Sequence, residues 1–248
     1  MNQVNKKIKI RIKRYLPEPE PRTFYQDYEI DYYPKMFVLD ALNAIKEHLD
    51  GTLSFRWSCR MGVCGSCGAE VNGVPQLTCA TPILNPEKNI VVGPLHNFPI
   101  IKDLVVDIKD FMEKLVRIKP WILRERDKAI EEGEYRQTPE QIDMYHQTSM
   151  CINCMLCYAA CPVFAVDREF IGPAASALAY RYNQDSRDGG ARKRLDILTA
   201  GAGIFDCTFV GECSTVCPKN VDPALAIQRL KKDSTLELLK SILRGKEK

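Results

Sequence analysis

The sequence predicts an α+β chain of two domains, a small β-rich one followed by a mostly helical one. Three observations carry this. Apolar residues alternate with charged ones near the start, apolar residues recur at helical spacing after residue 38 and again after residue 104, and eleven cysteines fall into separated groups. A chain of 248 residues suits two domains of ordinary size. The expected division is 1–105, a helix and connector over 106–140, and 141–248.

Taken in order, Ile8, Ile10 and Ile12 alternate with basic residues, the period-two pattern of a half-buried strand, and Phe24, Gln26, Tyr28 and Ile30 form its expected hairpin partner. Val38, Leu42, Ile45 and Leu49 recur at helical spacing and place a helix against that sheet. A second hairpin is expected from Ala69 to Leu77, turning at Asn72-Gly73, with Pro75 confining its second strand to a sheet edge. Leu104, Ile108, Phe111, Met112 and Leu115 then predict a helix that runs until Pro120, and the charged stretch from Arg124 to Glu134 an exposed connector. Pro173 opens an apolar helix through Leu178 and Tyr182. Asp222-Pro223 supplies the cap and first residue of a last helix reaching about Leu243.

The cysteine spacing uses every cysteine in the chain. Cys59, Cys64, Cys67 and Cys79 follow the Cys-x4-Cys-x2-Cys…Cys order of a plant-type [2Fe–2S] centre. Cys151, Cys154, Cys157 and Cys161-Pro162 form the bacterial ferredoxin run, whose last cysteine serves the other cluster of a pair. The partner run is Cys207, Cys213 and Cys217-Pro218, with Val210 where its second cysteine would fall. Crossed ligation therefore assigns Cys151, Cys154, Cys157 and Cys217 to a [4Fe–4S] cluster and leaves Cys161, Cys207 and Cys213 for a [3Fe–4S] cluster. Val210 is the expected determinant of that cluster type, since it offers the fourth corner no thiolate. Zinc is the competing use of Cys-x2-Cys pairs. Gly62, Gly65 and Gly68 favour a cluster, because glycine lets the backbone come close and aim N–H groups at sulfur. The expected fold class is thus an N-terminal β-grasp plant-type [2Fe–2S] ferredoxin domain plus a C-terminal mostly α-helical bacterial-type ferredoxin domain.

Composition narrows the partners. The net charge of +3, from 35 basic and 32 acidic residues without a basic stripe, argues against nucleic acid. The basic, alternating N-terminus has no apolar core or cleavage site of a secretory signal, so the thiols are expected to stay reduced and open to metal. No apolar stretch is long enough to span a bilayer. His48, His96 and His146 read as surface or packing residues, and Trp57 and Trp121 as core or interface residues.

RWSCRMGVCGSCG at 56–68, NFPIIKDLVVD at 97–107, CINCMLCYAACP at 151–162, FIGPAA at 170–175 and CTFVGECSTVCPKNVDP at 207–223 together resemble the iron–sulfur subunit of the fumarate reductase and succinate dehydrogenase family. The resemblance covers nearly the whole chain. It implies an electron wire without a dicarboxylate site of its own, between the FAD of a flavoprotein subunit near the [2Fe–2S] domain and a quinone beside the [3Fe–4S] cluster. Membrane anchor subunits would then hold the chain peripherally at the cytoplasmic face of the cell membrane. Val163, Phe164 and Ala165 after Pro162, and Thr208 after Cys207, depart from the succinate dehydrogenase pattern and point to a menaquinol-linked fumarate reductase. A succinate dehydrogenase subunit and a soluble multi-cluster carrier are the alternatives. The positions that match the family's quinone pocket are Thr208, Phe209, Gln228 and Lys231, the last two sharing a helix face. On charge pattern alone Lys231 reads as a solvated lysine.

Overall fold

The computed structural model describes residues 6–245. Its strands are β1 (Lys7–Leu16), β2 (Arg22–Asp31), β3 (Gly68–Val71), β4 (Val74–Leu77), β5 (Ile90–Gly93), β6 (Ile100–Lys102) and β7 (Val105–Val106). Its helices are α1 (Val38–His48), α2 (Lys109–Arg117), α3 (Pro139–Asp143), α4 (His146–Ser149), α5 (Leu156–Ala159), α6 (Pro162–Val166), α7 (Pro173–Asn183), α8 (Ala191–Thr199), α9 (Glu212–Thr215) and α10 (Pro223–Gly245). Contacts divide the chain into two units. One holds the chain up to Ile108 together with Ile152–Ala160, and the other holds Lys109–Cys151 and the chain from Cys161 onward.

The first unit is a mixed five-stranded sheet in the order β2-β1-β5-β3-β4, with α1 packed on it. β1 and β2 pair antiparallel with Ile8 opposite Ile30 and Ile10 opposite Tyr28, so the alternating isoleucines all face the core. β5 joins β1 in parallel, and β3 and β4 form the expected hairpin. Asn72 and Gly73 both take positive φ in its turn, and Pro75 lies on the edge strand, where its missing N–H costs no ladder bond. α1 ends at His48, so Leu49 is not part of its buried stripe as expected. It lies just past the helix and faces solvent.

The helix expected to start near Leu104 begins only at Lys109. Ahead of it, β6 and β7 make a small hairpin turning at Asp103, which has positive φ. A buried ion pair explains the difference. The Arg14 guanidinium donates from Nε to Asp103 Oδ1 at 2.8 Å and from Nη1 to Asp50 Oδ2 at 2.6 Å, and the Ser54 N–H donates to Asp103 Oδ2. Arg14 and Asp103 are both buried, so removing either one strands a charge, at a cost of about 3–5 kcal/mol. The aspartate is thereby held in the turn, and the helix cannot extend back through it.

The second unit is built around α7. Its PAASALAY segment is buried on nearly every side, and the small side chains let α10, α4, α2 and α8 approach it. Pro173 stands at the first position of α7, and the Leu225 N–H donates to Asp222 Oδ1 at the start of α10, as the sequence predicts. Buried Arg194 on α8 pairs with Asp188 and donates to the carbonyls of Ile118, Lys119 and Trp121, which fixes the turn after α2. Residues 124–134 are mostly exposed, yet they fold on themselves, with the Arg124 guanidinium stacked 3.7 Å from the Tyr135 ring centroid.

Candidate metal centres

Of the first cysteine set, Cys59, Cys64 and Cys67 belong to a loop between α1 and β3 that bends back on its own thiols, and Cys79 lies just past β4. The N–H groups of Met61, Val63 and Cys64 all donate to Cys59 Sγ at 3.3–3.4 Å, and the Gly62 N–H donates to Cys79 Sγ at 3.3 Å. Arg60, Gly62 and Gly65 have positive φ, which turns these N–H groups inward. Cys67 and Cys79 meet at 3.2 Å between sulfurs. The backbone donors, first that of Met61, hold the free Cys59 thiol down at about 6. Burial pushes Cys79 up to about 11, helped by the neighbouring Cys67. A thiol cradled by N–H donors and one that ionises only against a cation suit a [2Fe–2S] group bound by thiolate.

The two later runs take the same backbone course. Asn153 and Met155 have positive φ on either side of Cys154, and Phe209 and Gly211 have positive φ on either side of Val210. Met155 and Gly211 are then left-handed caps for α5 and α9, which start at the same offset in each run. Val210 therefore occupies the place of Cys154 in conformation as well as in spacing.

Within the second unit, Cys161, Cys207 and Cys213 line one cavity together with Thr208, Phe209 and Val210. The Cys161 sulfur accepts from the Phe164 N–H at the start of α6, and burial pushes Cys161 upward and Cys213 to about 11. Pro173, Ala224 and Ile227 from α7 and α10 complete the apolar lining. Three thiols and a valine around one hollow fit a three-thiolate cluster. Of the other set, Cys154 is buried, and Cys151, Cys157 and Cys217 are partly buried. Among the described residues no group of three or more His, Cys, Asp and Glu is gathered as for a single metal ion.

A profile of the 2Fe-2S iron-sulfur cluster binding domain matches residues 9–113, and one of the 4Fe-4S dicluster domain matches residues 147–221. The fumarate reductase iron-sulfur subunit of Mycobacterium tuberculosis is 56% identical over 238 residues, covering 96% of each chain. The chain belongs to the fumarate reductase and succinate dehydrogenase family of iron–sulfur subunits. The Escherichia coli fumarate reductase iron-sulfur subunit is 49% identical over 96% of this chain and 98% of its own, and the Coxiella burnetii succinate dehydrogenase iron-sulfur subunit 36% identical over 91% and 96%. Among solved structures, the Mycobacterium smegmatis Sdh1 complex in the apo form matches with a TM-score of 0.82 at 26% identity, over 94% of this chain and 98% of that one. Like those relatives, this family subunit works within an oxidoreductase complex. Among its described residues no helix is long and apolar enough to cross a membrane.

Lys231 is not the freely solvated lysine that charge pattern alone suggests, since its Nζ donates to the Cys207 carbonyl at 2.8 Å. Gln228, one turn earlier, has a buried Nε2 without a hydrogen-bond partner among the described residues. Thr208 and Phe209 are exposed at the cavity. Trp57 and Trp121, expected in the core or at an interface, are 42% and 46% exposed, and the Trp57 ring carries the Arg60 guanidinium at 4.6 Å. His48, His96 and His146 are all exposed as expected, and His96 also pairs through Nδ1 with buried Glu70. The Asn97 amide donates to two carbonyls of α5, a role that no spacing or pattern around it signals.

Proposed function

We propose that this chain passes single electrons between a quinol and the FAD of a flavoprotein subunit, as the iron–sulfur subunit of a membrane-bound quinol:fumarate reductase. The observation that carries it is the cavity walled by Cys161, Cys207 and Cys213 with Val210 in the place of a fourth thiolate. Iron–sulfur clusters, when bound, supply one-electron carriers that divide a two-electron oxidation into single steps. Cys59, Cys64, Cys67 and Cys79 hold the [2Fe–2S] cluster, Cys151, Cys154, Cys157 and Cys217 the [4Fe–4S] cluster, and Cys161, Cys207 and Cys213 the [3Fe–4S] cluster.

One turn apart on α10, Lys231, whose Nζ reaches the Cys207 carbonyl, and Gln228, whose buried Nε2 has no partner among the described residues, are the donors assigned to the oxygens of a quinone such as menaquinone. Exposed Leu236, Leu239 and Leu243 follow one face of α10, and exposed Phe209 and Val210 flank the cavity. These apolar surfaces support docking on membrane anchor subunits at the cytoplasmic face. The domain division 1–105, 106–140 and 141–248 is proposed with it, the flavoprotein meeting the first domain.

Purification of the native complex tests this reading. Co-isolation of a flavoprotein and apolar anchors, a [3Fe–4S] signal in EPR of the oxidised complex, and faster menaquinol-driven fumarate reduction than succinate oxidation are expected. Zinc in place of iron and sulfide, or a chain that purifies alone, would overturn it.

A further inference from the structure

Within the first unit, the segment Ile152–Ala160 is seated directly against the first cysteine loop. Gly65, between Cys64 and Cys67, makes the closest approach. A Cβ there would lie 2.8 Å from the Ile152 carbonyl oxygen and 3.0 Å from both Cα and Cβ of Cys154. Gly65 also has φ +74°, which a side chain resists. Gly68 repeats the pattern, with a Cβ site 3.2 Å from the Cys154 carbonyl oxygen and 3.3 Å from Leu156. From the other side, the Asn97 amide donates to the carbonyl oxygens of Tyr158 and Ala159 at 3.0 and 2.9 Å. These carbonyls end α5, where the intrahelical ladder runs out and the Ala160 N–H is the cap donor, shared between Leu156 and Tyr158. One set of contacts removes the room for a gap and the other pins the far end of the segment.

We infer that Gly65 and Asn97 are positioning residues that set the spacing between the first cysteine set and Cys154 and Cys157, and through it the rate at which an electron crosses from one cluster to the next. The inference rests on the ligand assignment proposed above. Electron tunnelling weakens exponentially with the gap between carriers, so a backbone shift of a few tenths of an ångström at Gly65 changes the rate without touching a ligand. Asn97 acts through the seat of α5, which its amide holds by the Tyr158 and Ala159 carbonyls.

The test uses the intact complex carrying Gly65→Ala or Asn97→Gly. Glycine at 97 keeps the positive φ of +65° found there and removes only the amide. With both clusters reduced, the [2Fe–2S] EPR signal of each variant should saturate at lower microwave power than in the wild type, because relaxation by the neighbouring spin weakens with distance. Amide hydrogen exchange over residues 152–160 should quicken about tenfold in Asn97→Gly, the effect of losing one to two hydrogen bonds. Should Gly65→Ala lose a cluster outright, Asn97→Gly carries the test. Wild-type saturation and wild-type exchange in Asn97→Gly overturn the inference while leaving the cluster reading intact. Absence of both EPR signals from the wild-type complex removes the ligand assignment and the inference with it.

Discussion

From Cys151 to Cys157 and from Cys207 to Cys213 the chain takes one course twice. Two positive-φ residues flank a central position, and a one-turn helix follows. In the first run the central residue is Cys154, buried, and in the second it is Val210, 59% exposed and facing the cavity of the three remaining thiols. The backbone thus sets where thiols can stand, and a single side chain decides whether that place holds one. Matched φ values at Asn153 and Phe209 show that the conformation does not depend on the residue type that carries it.

Exchanging the central residues tests the comparison most severely. Val210→Cys should admit a fourth iron, abolish the [3Fe–4S] signal and lower the potential, since the added thiolate brings negative charge. Every 59 mV of that fall disfavours electron entry from quinol about tenfold. EPR redox titration reads both changes, and an unchanged three-iron signal would mean that Val210 does not face the open corner. The mirror exchange, Cys154→Val, should lower the iron count of the other set and create a second three-iron signal in the same measurement. Loss of that cluster without such a signal would show that the two runs are alike in backbone only.

Lys231 ties α10 to the last run, and Lys231→Ala should slow quinol-linked turnover about tenfold, the weight of a charge-assisted hydrogen bond. Fumarate reduction driven by an artificial dye should change little, and equal loss in both assays would point to misfolding instead. The smallest effect is expected at the caps. A Cβ at Gly211 would meet nothing within 4 Å, so Gly211→Ala isolates the left-handed strain, about 1–2 kcal/mol of stability by thermal denaturation.

What the sequence made legible was local. Isoleucine alternation marked β1, Asn72-Gly73 marked the turn between β3 and β4, and Pro173 and Asp222-Pro223 marked helix starts. The parallel pairing of β5 with β1 had no such signal, because nothing in either strand records a partner so far along the chain. Likewise the period from Leu104 to Leu115 imitated one helix. Asp103, taken by Arg14, breaks it by a contact that no window of neighbouring residues contains. At the site, spacing grouped the cysteines, yet the positive φ of Asn153, Met155 and Phe209 falls on residues that do not advertise it. The seat of residues 152–160 on the first cysteine loop depends on glycines whose neighbours are remote in sequence.

That seat also orders events during synthesis. A nascent chain can form β1 to β5 and the first cysteine loop as soon as Asp103 is free to meet Arg14, but the backbone at Gly65 and Gly68 stays uncovered until Ile152–Ala160 has been made. Ribosomes add about 5–20 residues per second, so the loop is open for seconds before its cover arrives. Delivery of iron and sulfide to the first cysteines has that interval in which the approach is clear, and the arriving segment then closes over a loop already shaped.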